Sequence, residues 1–156
     1  MVKIIYLVII IILALPNTLL ANDEGYKYYE NGQYEKALSI WTKEVEMGNT
    51  EALYNIGLLY YFGKGVKKNL NIAFDYCKTA AYRGSGSAKN NLAYMHMKGL
   101  GTKKNYIYAY AWSSIAVENG YNSQGIKDDV IIHLTPAMLN DANKLILSII
   151  RELVDE

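Results

Sequence analysis

The sequence predicts an all-α protein, a short solenoid of antiparallel helical hairpins that a C-terminal helix closes. Two observations carry this prediction. Residues 52–84 recur as residues 88–120, and ten of them are identical at an offset of 36 positions. Within each copy, apolar residues recur at three- and four-residue spacing, which is typical of helices that bury one face. A fixed period between about 20 and 50 residues indicates a repeat array in which neighbouring units stack.

Each copy is predicted to form one hairpin. Gly63 and Gly65 end its first helix, because glycine adopts a positive φ without a steric cost. Asn69 is placed to cap the second helix, and Gly84 follows the end of that helix. The apolar face of the first helix consists of Ala52, Ile56, Leu59 and Tyr60. That of the second helix consists of Ala73, Tyr76, Cys77 and Ala80. Such a hairpin cannot bury these faces alone, so it needs stacked neighbours.

The first copy resembles the Sel-one-like repeat, a longer-looped relative of the tetratricopeptide repeat. The residues that carry the resemblance are the string 52–66, then Asn69, Ala73, Tyr76, Ala80, Ala81 and Gly84. The second copy departs from the pattern at Ala93, His96 and Thr102, and both copies have Asn where the family prefers Asp. The resemblance implies a right-handed α-solenoid that acts as a protein-interaction adaptor without catalysis.

One domain is expected over residues 22–156. It divides into an atypical first hairpin at 22–48, the two repeats at 49–84 and 85–120, and C-terminal capping helices at 121–156. The first hairpin turns at Asn31-Gly32, and Asp23 and Glu24 favour the start of its first helix, where negative charge meets the helix dipole.

The closing helix is expected to begin at Thr135-Pro136, an N-cap followed by a first-turn proline. Its apolar stripe consists of Met138, Ala142, Leu145, Ile149 and Leu153. A membrane-surface helix is the alternative, but the polar face is not strongly basic. We therefore expect this helix to cover the last repeat.

Residues 1–21 are typical of a secretory signal peptide. Lys3 precedes an unbroken apolar run from residue 4 to residue 15, and Ala21 supplies a small residue before the expected cleavage at Asn22. An uncleaved membrane anchor is the alternative, although a run of 12 residues is short against the ~20 that span a bilayer. The sequence predicts export to the periplasm or the exterior.

Composition and motifs exclude several classes of function. Without residues 1–21 the chain has 15 basic and 15 acidic residues, a neutral balance that argues against binding of nucleic acid. No cofactor is expected. The spacing of the histidines and the single cysteine does not suit a metal site or a nucleophilic triad. Cys77 is expected in the core, with an intermolecular disulfide as the alternative, and His96 as a buried, hydrogen-bonded residue.

A binding groove is predicted by analogy with tetratricopeptide-like arrays, in which the first helix of each hairpin lines the concave surface. The positions concerned are Tyr26, Tyr29, Tyr54, Leu58, Tyr61, Asn90, Tyr94 and Met97. Tyrosine suits protein recognition because it combines a large contact area with few rotatable bonds. The alternative is that some of these rings only pack between adjacent hairpins.

The loops carry lysines at the repeat period, which predicts a basic edge. Its members are Lys64, Lys67, Lys68, Lys98, Lys103 and Lys104. A solvated edge that keeps the protein soluble is one interpretation. A strip for an anionic partner, a phospholipid headgroup or an acidic peptide, is the other, and it requires binding that weakens as salt rises.

Three functional hypotheses follow. The first is an exported, non-catalytic adaptor or scaffold that holds a protein or peptide in its concave groove. The second, from what some relatives do, is an envelope enzyme acting on peptidoglycan or a β-lactam-like substrate. The third is a structural stabiliser of a larger complex. Because two and a half repeats lie near the minimum for a stable stack, an oligomer through either end is also compatible with the sequence.

Overall fold

A computed structural model describes the backbone of residues 18–155 and the side chains of residues 24–154. This part of the chain contains eight helices and no strand. They are α1 (Thr18–Glu30), α2 (Tyr34–Glu46), α3 (Thr50–Phe62), α4 (Leu70–Tyr82), α5 (Gly86–Lys98), α6 (Tyr106–Glu118), α7 (Gln124–Ile131) and α8 (Pro136–Asp155). The apolar run of the predicted signal peptide lies outside the described residues.

The helices pack in the order of the chain. Helices α1/α2, α3/α4 and α5/α6 form three hairpins, and each hairpin packs against the next through α2/α3 and α4/α5. Helix α7 packs against α6 and α5, and α8 packs against α6. The all-α solenoid predicted from the repeat is confirmed.

Asparagines begin the helices of the repeats as predicted. The Oδ1 atom of Asn69 accepts hydrogen bonds from the backbone amides of Asn71 and Ile72 at 3.1 and 3.2 Å. Asn105 caps α6 in the same way. Asp23 and Glu24 do not lie in the first turn of their helix, because α1 begins at Thr18. That part of the prediction was wrong.

The two glycines of each inter-helix loop have different roles. Gly63 and Gly99 end α3 and α5 in the left-handed conformation, with φ of 71° and 72°. Gly101, with φ of 68°, lies where a Cβ atom would come within 2.0 Å of the Leu70 carbonyl oxygen. The second glycine therefore allows the loop of one repeat to touch the start of the second helix in the previous repeat.

The closing helix covers the last repeat. Ala142 and Ile149 of its predicted stripe are buried, and Ile149 belongs to the same core cluster as Trp112 and Ile115 of α6. The Thr135 hydroxyl accepts a hydrogen bond from the Met138 amide at 3.3 Å, so the predicted cap is present. The position of α8 is thus the expected one.

Cys77 is a core residue. Its side chain is buried, its Sγ donates to the Ala88 carbonyl oxygen at 3.2 Å, and burial raises the pKa of the thiol to about 12. A thiol that stays protonated at neutral pH is a poor nucleophile, so the position is one of packing.

Candidate functional site

Tyrosines and asparagines link the first helices of successive hairpins. The Tyr26 hydroxyl donates a hydrogen bond to Asn55 Oδ1 at 3.0 Å, which joins α1 to α3. Asn91 Nδ2 donates to the Tyr54 hydroxyl at 2.9 Å, which joins α3 to α5. Asn55 and Asn91 occupy the same position of the repeat. The Tyr54 ring packs against the core cluster that α3, α4 and α5 share, and burial raises the pKa of its hydroxyl to about 12.

Four of the predicted groove residues are partly exposed. Tyr26 of α1 and Tyr94 of α5 are 41% and 37% exposed. Leu58 and Tyr61 belong to α3, the first helix of the hairpin between these two, and are half-buried. Tyr54, Leu58, Tyr61 and Asn91 line a narrow crevice of only about 10 Å³ between α3 and α5. We call Tyr26, Leu58, Tyr61 and Tyr94 the tyrosine surface.

Three other predicted groove residues lie in different surroundings. The Tyr29 ring contacts the rings of Tyr34 and Trp41, inside the first hairpin. Asn90 accepts a hydrogen bond from the Ser123 hydroxyl. Met97 is only 8% exposed and shares a core cluster with Val130 of α7. The segment after the second repeat therefore covers Asn90 and Met97, and Met97 offers no surface to a partner.

The predicted basic edge divides into two groups. Lys64 Nζ donates to the Tyr29 hydroxyl at 2.8 Å and lies 4.4 Å from the centre of that ring, and the hydrogen bond raises the pKa of this lysine. Lys67, Lys68, Lys103 and Lys104 are exposed in the α3–α4 and α5–α6 loops, and Lys98 is exposed at the end of α5. Between the side chains of residues 24–154, the single ion pair joins Lys144 to Asp141. The loop lysines thus remain unpaired cations.

His96 is buried in the second repeat, but its Nδ1 atom lacks a hydrogen-bond partner, contrary to the expected hydrogen-bonded histidine. Its ring lies 5.0 Å from the Tyr108 ring and 5.2 Å from the Phe74 ring, measured between centroids. Burial, together with the charge of Lys78, lowers the pKa of His96 to about 4. The imidazole is therefore neutral at physiological pH.

Sequence reasoning missed two buried ionisable side chains, Glu44 of α2, which is 2% exposed, and Lys89 of α5. Lys89 of α5 is 5% exposed and stands 36 positions after the core residue Leu53. Burial lowers the pKa of its amine, which lies beside a cleft of about 610 Å³ that Arg83, Glu118 and Leu153 also line. The signal was present in the repeat alignment, because a lysine replaces a leucine at a core position.

Neither a metal cluster nor a membrane span emerges from the described residues. Their His, Cys, Asp and Glu side chains form no group of three that suits a metal ion. None of the helices at 18–155 combines the length and apolar character needed to cross a bilayer.

Family comparison identifies the repeat. The model of the Sel1 repeat matches residues 50–85 and 86–121, which are the two copies found by internal comparison. The chain carries two Sel1 repeats. Proteins of this family typically act as non-catalytic scaffolds in protein–protein interaction, and the match indicates no catalytic family.

Solved structures of Sel1 repeat proteins share the fold. The crystal structure of c5321, a protective antigen present in uropathogenic Escherichia coli strains displaying an SLR fold, is similar with a TM-score of 0.80 and 28% identity. The similarity covers 89% of this chain and 31% of that one. A Sel1 repeat protein from Oxalobacter formigenes is 31% identical with a TM-score of 0.58, over 70% of this chain and 48% of that one.

Two curated relatives come from Arabidopsis thaliana. They are the ERAD-associated E3 ubiquitin-protein ligase components HRD3A and HRD3B, and each is 34% identical over 64 residues. These residues are 41% of this chain but only 9% and 11% of the relatives. The chain thus spans about a tenth of the length of the curated relatives that it matches.

Proposed function

We propose that this Sel1 repeat protein is an exported adaptor that binds a protein or peptide on its tyrosine surface and catalyses no reaction. The observation that carries the proposal is the partial exposure of Tyr26, Leu58, Tyr61 and Tyr94 on α1, α3 and α5, the first helices of the three hairpins. Export is proposed from the sequence of residues 1–21, in which an apolar run follows Lys3 and a small residue precedes Asn22.

The contacts of the first helices support a rigid surface. The hydrogen bonds Tyr26–Asn55 and Asn91–Tyr54 fix α1, α3 and α5 relative to one another. A surface that is already ordered loses little conformational entropy when a partner binds, so a modest contact area suffices for a stable complex. Tyr94 and Tyr26 offer aromatic area with a polar end, which favours specific binding of a protein over non-specific hydrophobic association.

Affinity capture with a double variant tests the proposal. Residues 22–156 are immobilised beside the Tyr61→Ala/Tyr94→Ala variant and exposed to an extract of the source cells. We expect the variant to lose a partner that the native protein retains, because aromatic anchors of interfaces contribute about 2 kcal/mol or more each. Purified partner is then titrated against both proteins by calorimetry.

A matched control removes apolar side chains elsewhere. Met47 and Leu147, at the end of α2 and on α8, are 70% and 67% exposed. The Met47→Ala/Leu147→Ala variant is expected to bind as the native protein does. Equal loss in both variants would contradict a specific surface, and loss of helical circular dichroism in the tyrosine variant would show that the rings are part of the core.

A further inference from the structure

A cleft of about 290 Å³ lies in the second repeat, where residues of α4, α5 and α6 and of the α5–α6 loop form its walls. Helix α5 contributes to both places, but none of the residues of the tyrosine surface lines this cleft. It is therefore a separate site from the one proposed for a protein partner.

The cleft arises where the second repeat departs from the first. His96 replaces Tyr60, whose ring stacks on Tyr76 at a centroid distance of 5.9 Å. Thr102 replaces Val66, which packs against the core cluster of the first hairpin. His96 is smaller and more polar than the tyrosine that it replaces, Thr102 carries a hydroxyl where the valine has a methyl group, and both replacements line the cleft.

The charge in the cleft has one sign. Lys78 and Lys103 line it and are exposed, and none of the lining residues is acidic. Neither lysine forms an ion pair with the side chains at 24–154. Lys78 and the buried His96 line the same cleft. Two unpaired cations beside low-dielectric walls attract an anion.

Aromatic rings form much of the remaining wall. The Tyr82 ring meets the Trp112 ring edge-on at 5.1 Å, and the His96 ring lies along that of Tyr108. Flat walls favour a flat ligand, because planar groups gain contact with aromatic faces. A cleft of this volume has room for one ring with a small substituent.

We propose that this cleft binds an aromatic carboxylate, with the carboxylate beside Lys78 and Lys103 and the ring against Tyr82 and Tyr108, above the buried Trp112 and His96. The planar carboxylate extends the plane of the ring and so fits between flat walls. The Thr102 hydroxyl adds a polar group that the valine of the first repeat lacks.

Three probes separate the contributions of charge and ring: benzoate has both, benzamide has only the ring, and acetate has only the charge. The readout is the NMR signal of the Trp112 indole N–H and of the His96 ring during titration of the ¹⁵N-labelled protein. We expect saturable shifts with benzoate, and binding weaker by about tenfold or more for benzamide and for acetate.

Two variants test the location. In His96→Tyr/Thr102→Val the residues of the first repeat fill the cleft, and benzoate binding is expected to disappear. Lys78→Gln/Lys103→Gln changes only exposed side chains, so it should fold and bind benzoate about tenfold more weakly. Lys67→Gln alters the lysine equivalent to Lys103 in the first repeat and should leave binding unchanged.

The proposal is overturned if millimolar benzoate gives no saturable shift, or if benzamide or acetate binds as tightly as benzoate. Unchanged affinity in the filled variant would likewise overturn it. Should that variant fail to fold, the lysine variant decides, since equal binding there would place benzoate elsewhere.

Discussion

At the scale of single residues, the burial of His96 makes the stability of the protein depend on pH. The imidazole is buried and neutral, with a pKa of about 4 against 6.5 for the free side chain. Between these values the unfolded chain binds a proton that the native protein does not, so the free energy of unfolding decreases as pH falls from 6.5 to 4. Above pH 6.5 none of this stability is lost, and by pH 4 the loss of unfolding free energy reaches up to about 3 kcal/mol.

The His96→Tyr variant isolates this effect, since tyrosine occupies the equivalent position of the first repeat and does not titrate in this range. Urea unfolding of both proteins at several pH values from 7 to 4 measures the difference in free energy. We expect the native protein to lose more stability than the variant over this window. The two proteins differ only at residue 96, so parallel pH profiles would contradict a buried neutral His96.

At the scale of elements, the second glycine of each loop determines how closely repeats approach. Gly101 combines a positive φ with the contact to the start of α4, whereas Gly84 has φ of 98° and open space around its Cα. A substitution at Gly84 therefore introduces backbone strain alone, whereas one at Gly101 introduces strain together with steric crowding.

Alanine substitutions test this distinction. Gly84→Ala is expected to cost about 1 kcal/mol from the strained backbone alone. Gly101→Ala should cost about 1–3 kcal/mol more, because the new methyl group collides with the Leu70 carbonyl group. Thermal and urea unfolding of both variants supply the comparison. Equal losses of stability would show that the loop does not need the close approach.

The elements were predictable from sequence because their signals are local and repeated. Helix ends at Gly63 and Gly99, caps at Asn69 and Asn105 and the closing helix at Pro136 each depend on a residue type at a fixed place. The start of α1 was misplaced because Asp23 and Glu24 are compatible with more than one position in a helix. Charge preference near a helix end is a weak signal compared with a cap or a glycine.

The candidate sites were less predictable because the exposure of their residues depends on which other helices pack over them. Met97 fits the groove pattern by spacing, but α7 packs over it, and the repeat pattern contains no information about α7. At Lys89 the spacing predicts the burial correctly, because this position of the repeat is a core position, but the residue type does not suggest it. The cleft at His96 and Thr102 was visible in sequence only as two departures from the repeat.

At the scale of the whole molecule, the repeats stack into one array closed by α7 and α8. The links Tyr26–Asn55 and Tyr54–Asn91 join the first helices of successive hairpins, which also carry the residues of the tyrosine surface. Our central claim is that the tyrosine surface of α1, α3 and α5 binds the protein partner, and that α4 and α8 do not.

Site-specific photocrosslinking tests that claim most directly. A benzophenone amino acid is placed at Tyr61 or Tyr94, and in matched controls at the exposed residues Asp75 of α4 and Asn143 of α8. After irradiation in the source cells, our account predicts the same crosslinked polypeptide from positions 61 and 94 and none from 75 or 143. Crosslinks confined to the outer positions, or equal at all four, would contradict it.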